Sequence, residues 1–293
     1  MRLDETGESE IIRRLLPHLA TEGLLILPGR DDATAWTEEA GITVASCDAS
    51  VEGVHFDLSW QSPEDAGRRA LALALGDLAA KGARPTYGLI TLAAPARWEI
   101  ETVEGLYAGV AGLAREVGLR LAGGDTTAID GPAVLSITVL GRADVRPLAR
   151  SEARPGWSVA VTGSLGGAAV ALRERVSFPL VPRLAEGMRL NGAGACCGDI
   201  SDGLIRELEK FLQASGAGSR IEIERVPRAP GATALDALAS GEEAELVCVA
   251  PARVLELAGL TVIGIMTEGT EVVVLDREGN PMEIKIRGHE HFA

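Results

Sequence analysis

Apolar residues recur along this chain at two spacings. From Glu8 to Leu19 they fall at Ile11, Ile12, Leu15, Leu16 and Leu19, one stripe of an amphipathic helix. Helical spacing returns after Ser62-Pro63-Glu64, with Pro at the first helical position, and predicts a helix to about Lys81 that stops at Gly82. It returns over Ile100 to Val117, closed by Gly118, again from about Ala168, and over Gly203 to Ala214. Leu204, Leu208, Phe211 and Leu212 form the buried stripe of that last helix. Shorter apolar runs predict strands. They are Gly41 to Ser46 ending at Cys47-Asp48, Tyr87 to Leu92, Val134 to Leu140, Trp157 to Thr162, and stretches near Ile221, Leu246 and Val272. Strands alternate with helices, so the expected class is α/β. Asp144 to Gly156, carrying Arg, Pro and Gly, is the expected boundary between domains at 1–143 and 144–293.

Composition narrows the choice. Aromatic residues are only 3%, so the core must rest on Leu, Val, Ile and Ala. A net charge of −14 argues against nucleic-acid and anionic-membrane partners, which reward basic surface. It leaves room for phosphate, because acids can hold Mg²⁺ and Mg²⁺ can hold phosphate. Only Lys81, Lys210 and Lys285 are lysines, and no GxxxxGK[ST] phosphate loop occurs. Cys47, Cys196, Cys197 and Cys248 contain no CxxC pair, which fits reduced thiols in a cytoplasmic protein. The opening residues do not read as a signal peptide. No apolar run approaches the roughly 20 residues of a membrane span.

The informative residues are aspartates beside glycines at element ends, with one inside an apolar helix. Asp31-Asp32 sits in a loop, Asp48 ends a strand, Asp125 follows two glycines, and Asp199-Ile200-Ser201-Asp202-Gly203 leads into a helix. Asp77 lies within Leu71 to Ala80, on a face with Ala70, Leu73 and Ala74. Burying a carboxylate there unpaired costs several kcal/mol by rough reckoning, so it needs a metal, a donor, or an ion pair with Arg68 or Arg69. Each of the others has a plain alternative: an Asx turn at Asp31-Asp32, a turn at Asp125, a helix cap at Asp202. Taken together they suggest a site with several Mg²⁺ ions for a polyphosphate. The amides and hydroxyl near Ser201 are available to an anion. Gly163-Ser164-Leu165-Gly166-Gly167 could cradle phosphate or simply allow tight packing. His55 and the terminal Gly288-His289-Glu290-His291-Phe292 carry little alone.

In order and spacing these segments resemble the thiamine-monophosphate kinases, within the aminoimidazole-ribonucleotide-synthetase-like superfamily. Asp31-Asp32-Ala33 resembles GDDAA, with Arg30 at the glycine. Ser46-Cys47-Asp48 followed by Val51 to Phe56 resembles STD-x-x-VEGxHF. Leu75 to Ala83 resembles LSDLAAMGA, Gly123 to Thr127 is GGDTT, and Arg150 to Gly156 resembles RSGAKPGD. Val161 to Gly166 resembles VTGxLG, Asp199 to Leu204 is DISDGL, Ser240 to Leu246 resembles GGEDYEL, and Gly288 to Phe292 resembles GYDHF.

The resemblance implies ATP-dependent phosphorylation of thiamine monophosphate to thiamine diphosphate. It implies a two-domain fold whose N-terminal sheets pair across a homodimer, with the active cleft between the domains. It assigns Asp32, Ser46, Cys47, Asp48, Asp77, Asp125, Asp199 and Asp202 to several Mg²⁺ ions. It assigns Gly124, Asp125, Arg150 and Ser201 to ATP, and His55, Glu242 and Ile286 to the acceptor. Two departures stand out. Cys47 replaces a threonine, and a thiol is a poor Mg²⁺ ligand. Ala244 and Ile286 replace a Tyr and a Trp near the substrate ring. A phosphate acceptor is already anionic near pH 7, its second pKa being about 6, so no general base is expected. A superfamily enzyme with another phosphate or amide acceptor, or a non-catalytic nucleotide-binding homologue, are the rival expectations.

Overall fold

The computed structural model of the protein describes residues 24–26, 31, 34–38, 41–285 and 288–289. The expected helix from Glu8 to Leu19 lies outside the described residues, as do Asp32 and Ile286. The first half runs β1 (Leu24–Ile26), β2 (Thr34–Glu38), β3 (Gly41–Val51), α1 (Pro63–Ala80), β4 (Arg84–Pro95), α2 (Ile100–Val117), β5 (Arg120–Ile129) and β6 (Val134–Ala143). These strands form one sheet in the order β1-β2-β3-β6-β4-β5. β3 and β4 both pair antiparallel with β6, so they run parallel to each other with β6 between them. β4 and β5 pair directly in parallel.

The second half runs β7 (Ser158–Val161), α3 (Gly167–Glu174), α4 (Leu184–Gly192), β8 (Cys196–Asp199), α5 (Leu204–Ser215), β9 (Gly218–Glu222), α6 (Ala234–Ala239), β10 (Leu246–Ala250), α7 (Ala252–Leu257), β11 (Thr261–Thr267) and β12 (Val272–Leu275). Its sheet has the order β12-β9-β11-β7-β10-β8. Only β12 and β9 pair in parallel there. Helices and strands thus alternate, but the sheets are mixed and mostly antiparallel.

Helix α1 is the centre of the molecule. Ser62 caps it by accepting a 3.0 Å hydrogen bond from the Asp65 amide, and Glu64 and Asp65 favour its positive end. One side, Leu71, Leu75 and Leu78, packs on the first sheet against residues such as Ile90 and Ile137. Each such fully buried side chain contributes about 1.5–3 kcal/mol. Another side meets α2, and Ala79 and Ala80 join a core with Cys197, Leu246 and Cys248 of the second sheet. The helix is therefore enclosed on nearly every side, and Asp77 is only 7% exposed.

Glycines set these contacts. A Cβ on Gly67 would lie 2.0 Å from the Leu106 carbonyl oxygen, and one on Gly109 would lie 1.9 Å from that of Glu64. On the other flank, a Cβ on Gly187 of α4 would lie 1.9 Å from the Ala79 oxygen. Backbone touches backbone at all three points, so the crossing cannot yield by moving a side chain. Gly109→Ala is expected to destabilise the fold by about 3 kcal/mol, the upper range for overpacking. A lowered urea midpoint without a change in slope checks this.

Candidate active site

Asp48, Asp77, Asp199 and Asp202 line one cleft of about 1140 Å³ between the two halves. β3 brings Asp48, α1 brings Asp77, the end of β8 brings Asp199, and Asp202 precedes α5. Ser46 donates from its hydroxyl to Asp77 Oδ2. Burial, then the charges of Asp199 and Asp202, push the Asp48 carboxyl up to about 6. Burial, then Asp199 and Asp48, raise Asp77 well above the usual carboxylate range. Burial also raises Asp199, against the pull of Lys210 and Arg150. Among the described residues neither Asp48 nor Asp77 has a cationic ion-pair partner. Arg68 pairs with Glu116 and Arg69 with Glu242, so neither arginine neutralises Asp77.

The nearby cations are committed to carboxylates other than Asp48 and Asp77. Lys81, fully buried, pairs with Asp31 and donates to the Cys197 carbonyl at 2.8 Å. Arg150 grips Glu207 with Nε and Nη2 at 2.6 and 2.9 Å and reaches Asp31 with Nη1 at 3.0 Å. Burial alone would lower both cations' pKa values, but their carboxylate partners outweigh it and hold them protonated. Arg150 does line the cleft, but its guanidinium is held by carboxylates. Lys210 pairs with Asp202 at 2.8 Å. The Asp202 side chain is therefore not a helix cap; Gly203 holds that position, with no side-chain cap bond.

Every donor in the cluster is a hard oxygen, which suits Mg²⁺. Among the described residues no three His, Cys, Asp or Glu side chains form a ready-made cage. The oxygens line a shared space, which fits an ion that keeps waters and shares its shell with phosphate. The donor set and the raised carboxylates together pass as a fit for divalent cations.

Farther along the cleft stand His55, Arg69 and Glu242. His55 Nδ1 accepts from the Val51 amide at 3.1 Å, so this nitrogen carries no proton. Glu242 has φ +56°, a left-handed conformation that non-glycine residues rarely adopt. Its amide donates to the Ser201 carbonyl at 2.7 Å, tying the segment to the other predicted contact, Ser201, which also lines the cleft. Glu242 Oε1 and Arg69 Nε are buried and lack hydrogen-bond partners among the described residues. Gly163 to Gly167 offers no free phosphate cradle. The amides of Gly166, Gly167 and Ala168 at the start of α3 already donate to the buried Glu243 carboxylate.

Three predicted residues stand apart from the cluster. Side chains alternate along a strand, so Cys47 faces away from Ser46 and Asp48. It meets Ser136 and Thr138 on the open side of the first sheet. Asp125 pairs with Thr91, Thr91 with Ser136 and Ser136 with Ala49, so Asp125 shares that open face. Three strand spacings put it about 14 Å across the sheet from β3. Gly124 neighbours it on exposed β5, where a Cβ would lie 1.7 Å from the Ile90 oxygen. The turn offered for Asp125 after Gly123-Gly124 is a strand, and Asp48 lies inside β3 rather than at its end.

Residues 29–143 match the family described as AIR synthase related protein, N-terminal domain. The thiamine-monophosphate kinase of Rhodopirellula baltica is 36% identical over 221 residues, covering 71% of this chain and 68% of that one. That of Mycobacterium tuberculosis H37Rv is 32% identical, covering 94% and 90%. The chain belongs to the thiamine-monophosphate kinase family. A solved structure of AaThiL complexed with AMPPCP and TMP superimposes with a TM-score of 0.86 at 27% identity, covering 99% of each chain. The two-domain aminoimidazole-ribonucleotide-synthetase-like fold is thus shared with the thiamine-monophosphate kinases. Lys81 stands where the thiamine-monophosphate kinase motif LSDLAAMGA has Met, and Ala244 is 6% exposed within the first core.

Sequence reasoning offered Arg69 only as a partner for Asp77, and missed Lys81, Glu207 and Lys210. A signal existed: two of the chain's three lysines are here, and Arg69, Leu73 and Asp77 follow at i, i+4 and i+8 on α1. The electrostatics give a sign. Asp48 holds its proton more tightly folded than unfolded, so its contribution makes the metal-free fold lose stability as pH rises from about 4 to about 6. Asp48→Asn is expected to raise the metal-free melting midpoint at pH 7 by about 2–4 °C, with the gain vanishing near pH 4. Thermal unfolding followed by circular dichroism at the two pH values checks it.

Proposed function

We propose that this chain transfers the γ-phosphoryl group of ATP to the phosphate of thiamine monophosphate, giving thiamine diphosphate. The carrying observation is the convergence of Asp48, Asp77, Asp199 and Asp202 on one cleft, where Asp48 and Asp77 have no ion-pair partner among the described residues. The relative complexed with AMPPCP, an ATP analogue, and TMP supports the same pair of ligands. Asp32, Ser46, Asp48, Asp77, Asp199 and Asp202 would hold Mg²⁺ ions. When bound, such ions supply charge neutralisation for two polyanions that must approach in line.

The chain's own residues do the positioning. Ser46 orients the Asp77 carboxylate. Lys81 and Arg150 hold Asp31 and Glu207, so that the backbone at Arg150 and Ser201 borders the nucleotide. His55 and Glu242 face the acceptor. No side chain takes a proton from the acceptor, whose oxygen is already anionic near pH 7.

Asp125, Gly124 and Cys47 enter this scheme through a second copy of the chain. The open sheet face that carries Cys47 and Asp125 also exposes Tyr87 and Leu89, 45% and 43% accessible. Pairing of two such faces in a homodimer would carry Asp125 of one subunit toward the cleft of the other. The division at 143/144 gives each subunit a pairing domain and a domain that completes the cleft. Free buried thiols at Cys196, Cys197 and Cys248 suit a cytoplasmic setting. No described helix is long and apolar enough to cross a membrane. The charge of −14 speaks against nucleic acid.

Turnover of ATP is expected only when thiamine monophosphate is added, and chelation with EDTA is expected to abolish it. Asp77→Asn and Asp125→Asn homodimers are each expected to lose turnover at least about 100-fold, on the scale of lost electrostatic stabilisation. Mixed subunits are expected to regain activity, because one of the two clefts then holds neither change. Activity without the acceptor, or survival of activity in EDTA, would overturn the reading.

A further inference from the structure

We propose that Trp60 is the surface on which the acceptor's cationic heteroaromatic ring stacks, making it a specificity-determining residue of the reaction proposed above, on which this inference rests. The cleft has two chemically different ends. Asp77 marks one and Arg69 the other, and the eight helical steps from Arg69 to Asp77 on α1 span about 12 Å. Past Arg69 the lining turns apolar. Val54, Leu172 and Val176 line the cleft with 59%, 66% and 48% of their surfaces exposed. Apolar side chains that open at a cleft mouth mark a ligand contact more often than a solvent surface.

Aromatic residues point to the same end. The whole chain has four Trp, two Tyr and four Phe, yet Phe56, Trp60 and Phe178 all line this cleft. Two of them have structural work. Phe56 is 4% exposed in the first core, and Phe178 packs over Gly167, where a Cβ would lie 2.6 Å from its ring. Trp60 is half-buried. Its backbone amide donates to the Asp57 carbonyl at 3.3 Å, which sets the turn that carries the indole at the mouth.

The opposite wall is also fixed. Ser177 donates to Asp65 Oδ2 at 2.7 Å, which draws the Val176 segment across to the start of α1, beside the loop that carries Trp60. Trp60 and Val176 thus line the same cleft from opposite halves of the molecule. Ala244 is packed in the core and offers no ring to the cleft. A thiazolium carries a fixed positive charge, and an indole face is the best aromatic partner for a cation. Glu242, ion-paired with Arg69, lines the same cleft and keeps its other oxygen without a hydrogen-bond partner among the described residues.

Trp60→Leu keeps an apolar side chain but removes the π face, whereas Trp60→Phe keeps a smaller one. In steady-state kinetics Trp60→Leu is expected to raise KM for thiamine monophosphate about tenfold, leaving kcat and KM for ATP within about twofold. Trp60→Phe is expected to stay within about threefold of wild type on all three. Thiamine monophosphate is expected to quench the tryptophan fluorescence of the wild-type protein, and either variant is expected to lose most of that quenching. Turnover with an unchanged acceptor KM in Trp60→Leu would overturn the platform and spare the reaction. So would an equal rise in both KM values. Trp60-dependent quenching by thiamine monophosphate in a protein that does not phosphorylate it would sink the reaction and support the platform.

Discussion

Uncompensated negative charge along the cleft is the constraint from which the rest of the molecule takes its meaning. Carboxylates withdrawn from water require partners, and the fold supplies them unevenly. Asp31 and Glu207 share Lys81 and Arg150 in a sealed network that joins α1 to β8 and α5. Asp202 has Lys210. Asp48 and Asp77 have no ion-pair partner among the described residues: Asp77 accepts from the Ser46 hydroxyl, neighbouring carboxylates repel both, and Lys210 pulls on them only through space. A balanced network beside a cluster in deficit is a division of labour. One ties the halves of the chain together, and the other waits for positive charge from outside.

Helix boundaries were the most legible part of the fold. α2 matches its expected limits, and α1 begins at the expected Pro63, because Ser62, Pro63 and Gly118 act through local geometry. Strand lengths were less legible, since pairing across the sheet extends a strand beyond its apolar run. β3 continues through Cys47, Asp48, Ala49 and Ser50 because β6 pairs with every one of them. Gly123-Gly124 before Asp125 allowed a turn, yet β4 holds the segment in a strand with almost no buried side chains. β8, Cys-Cys-Gly-Asp, is too short for any alternation to appear.

The candidate site was legible where acids interrupted apolar surroundings, as at Asp77 and Asp199. The cations were not: Arg69 was matched to Asp77 rather than to the distant Glu242, and Lys81 read as an ordinary helix end until β8 packed against it. Strand parity was decisive for the rest. Ser46, Cys47 and Asp48 are consecutive in the motif, but one of the three looks out through the other side of the sheet. Placing Asp125 likewise needed the register through Thr91 and Ser136 to Ala49, which no linear reading contains.

Helix α1 is gripped from both flanks where Gly67, Gly109 and Gly187 let main chains meet. A rod held that way behaves as a rigid ruler, and its graduations are Arg69, Leu73 and Asp77. Any adjustment to guests of different length must come from the segments facing it, around Val176 and Glu242, while the interval between phosphate end and ring end stays constant.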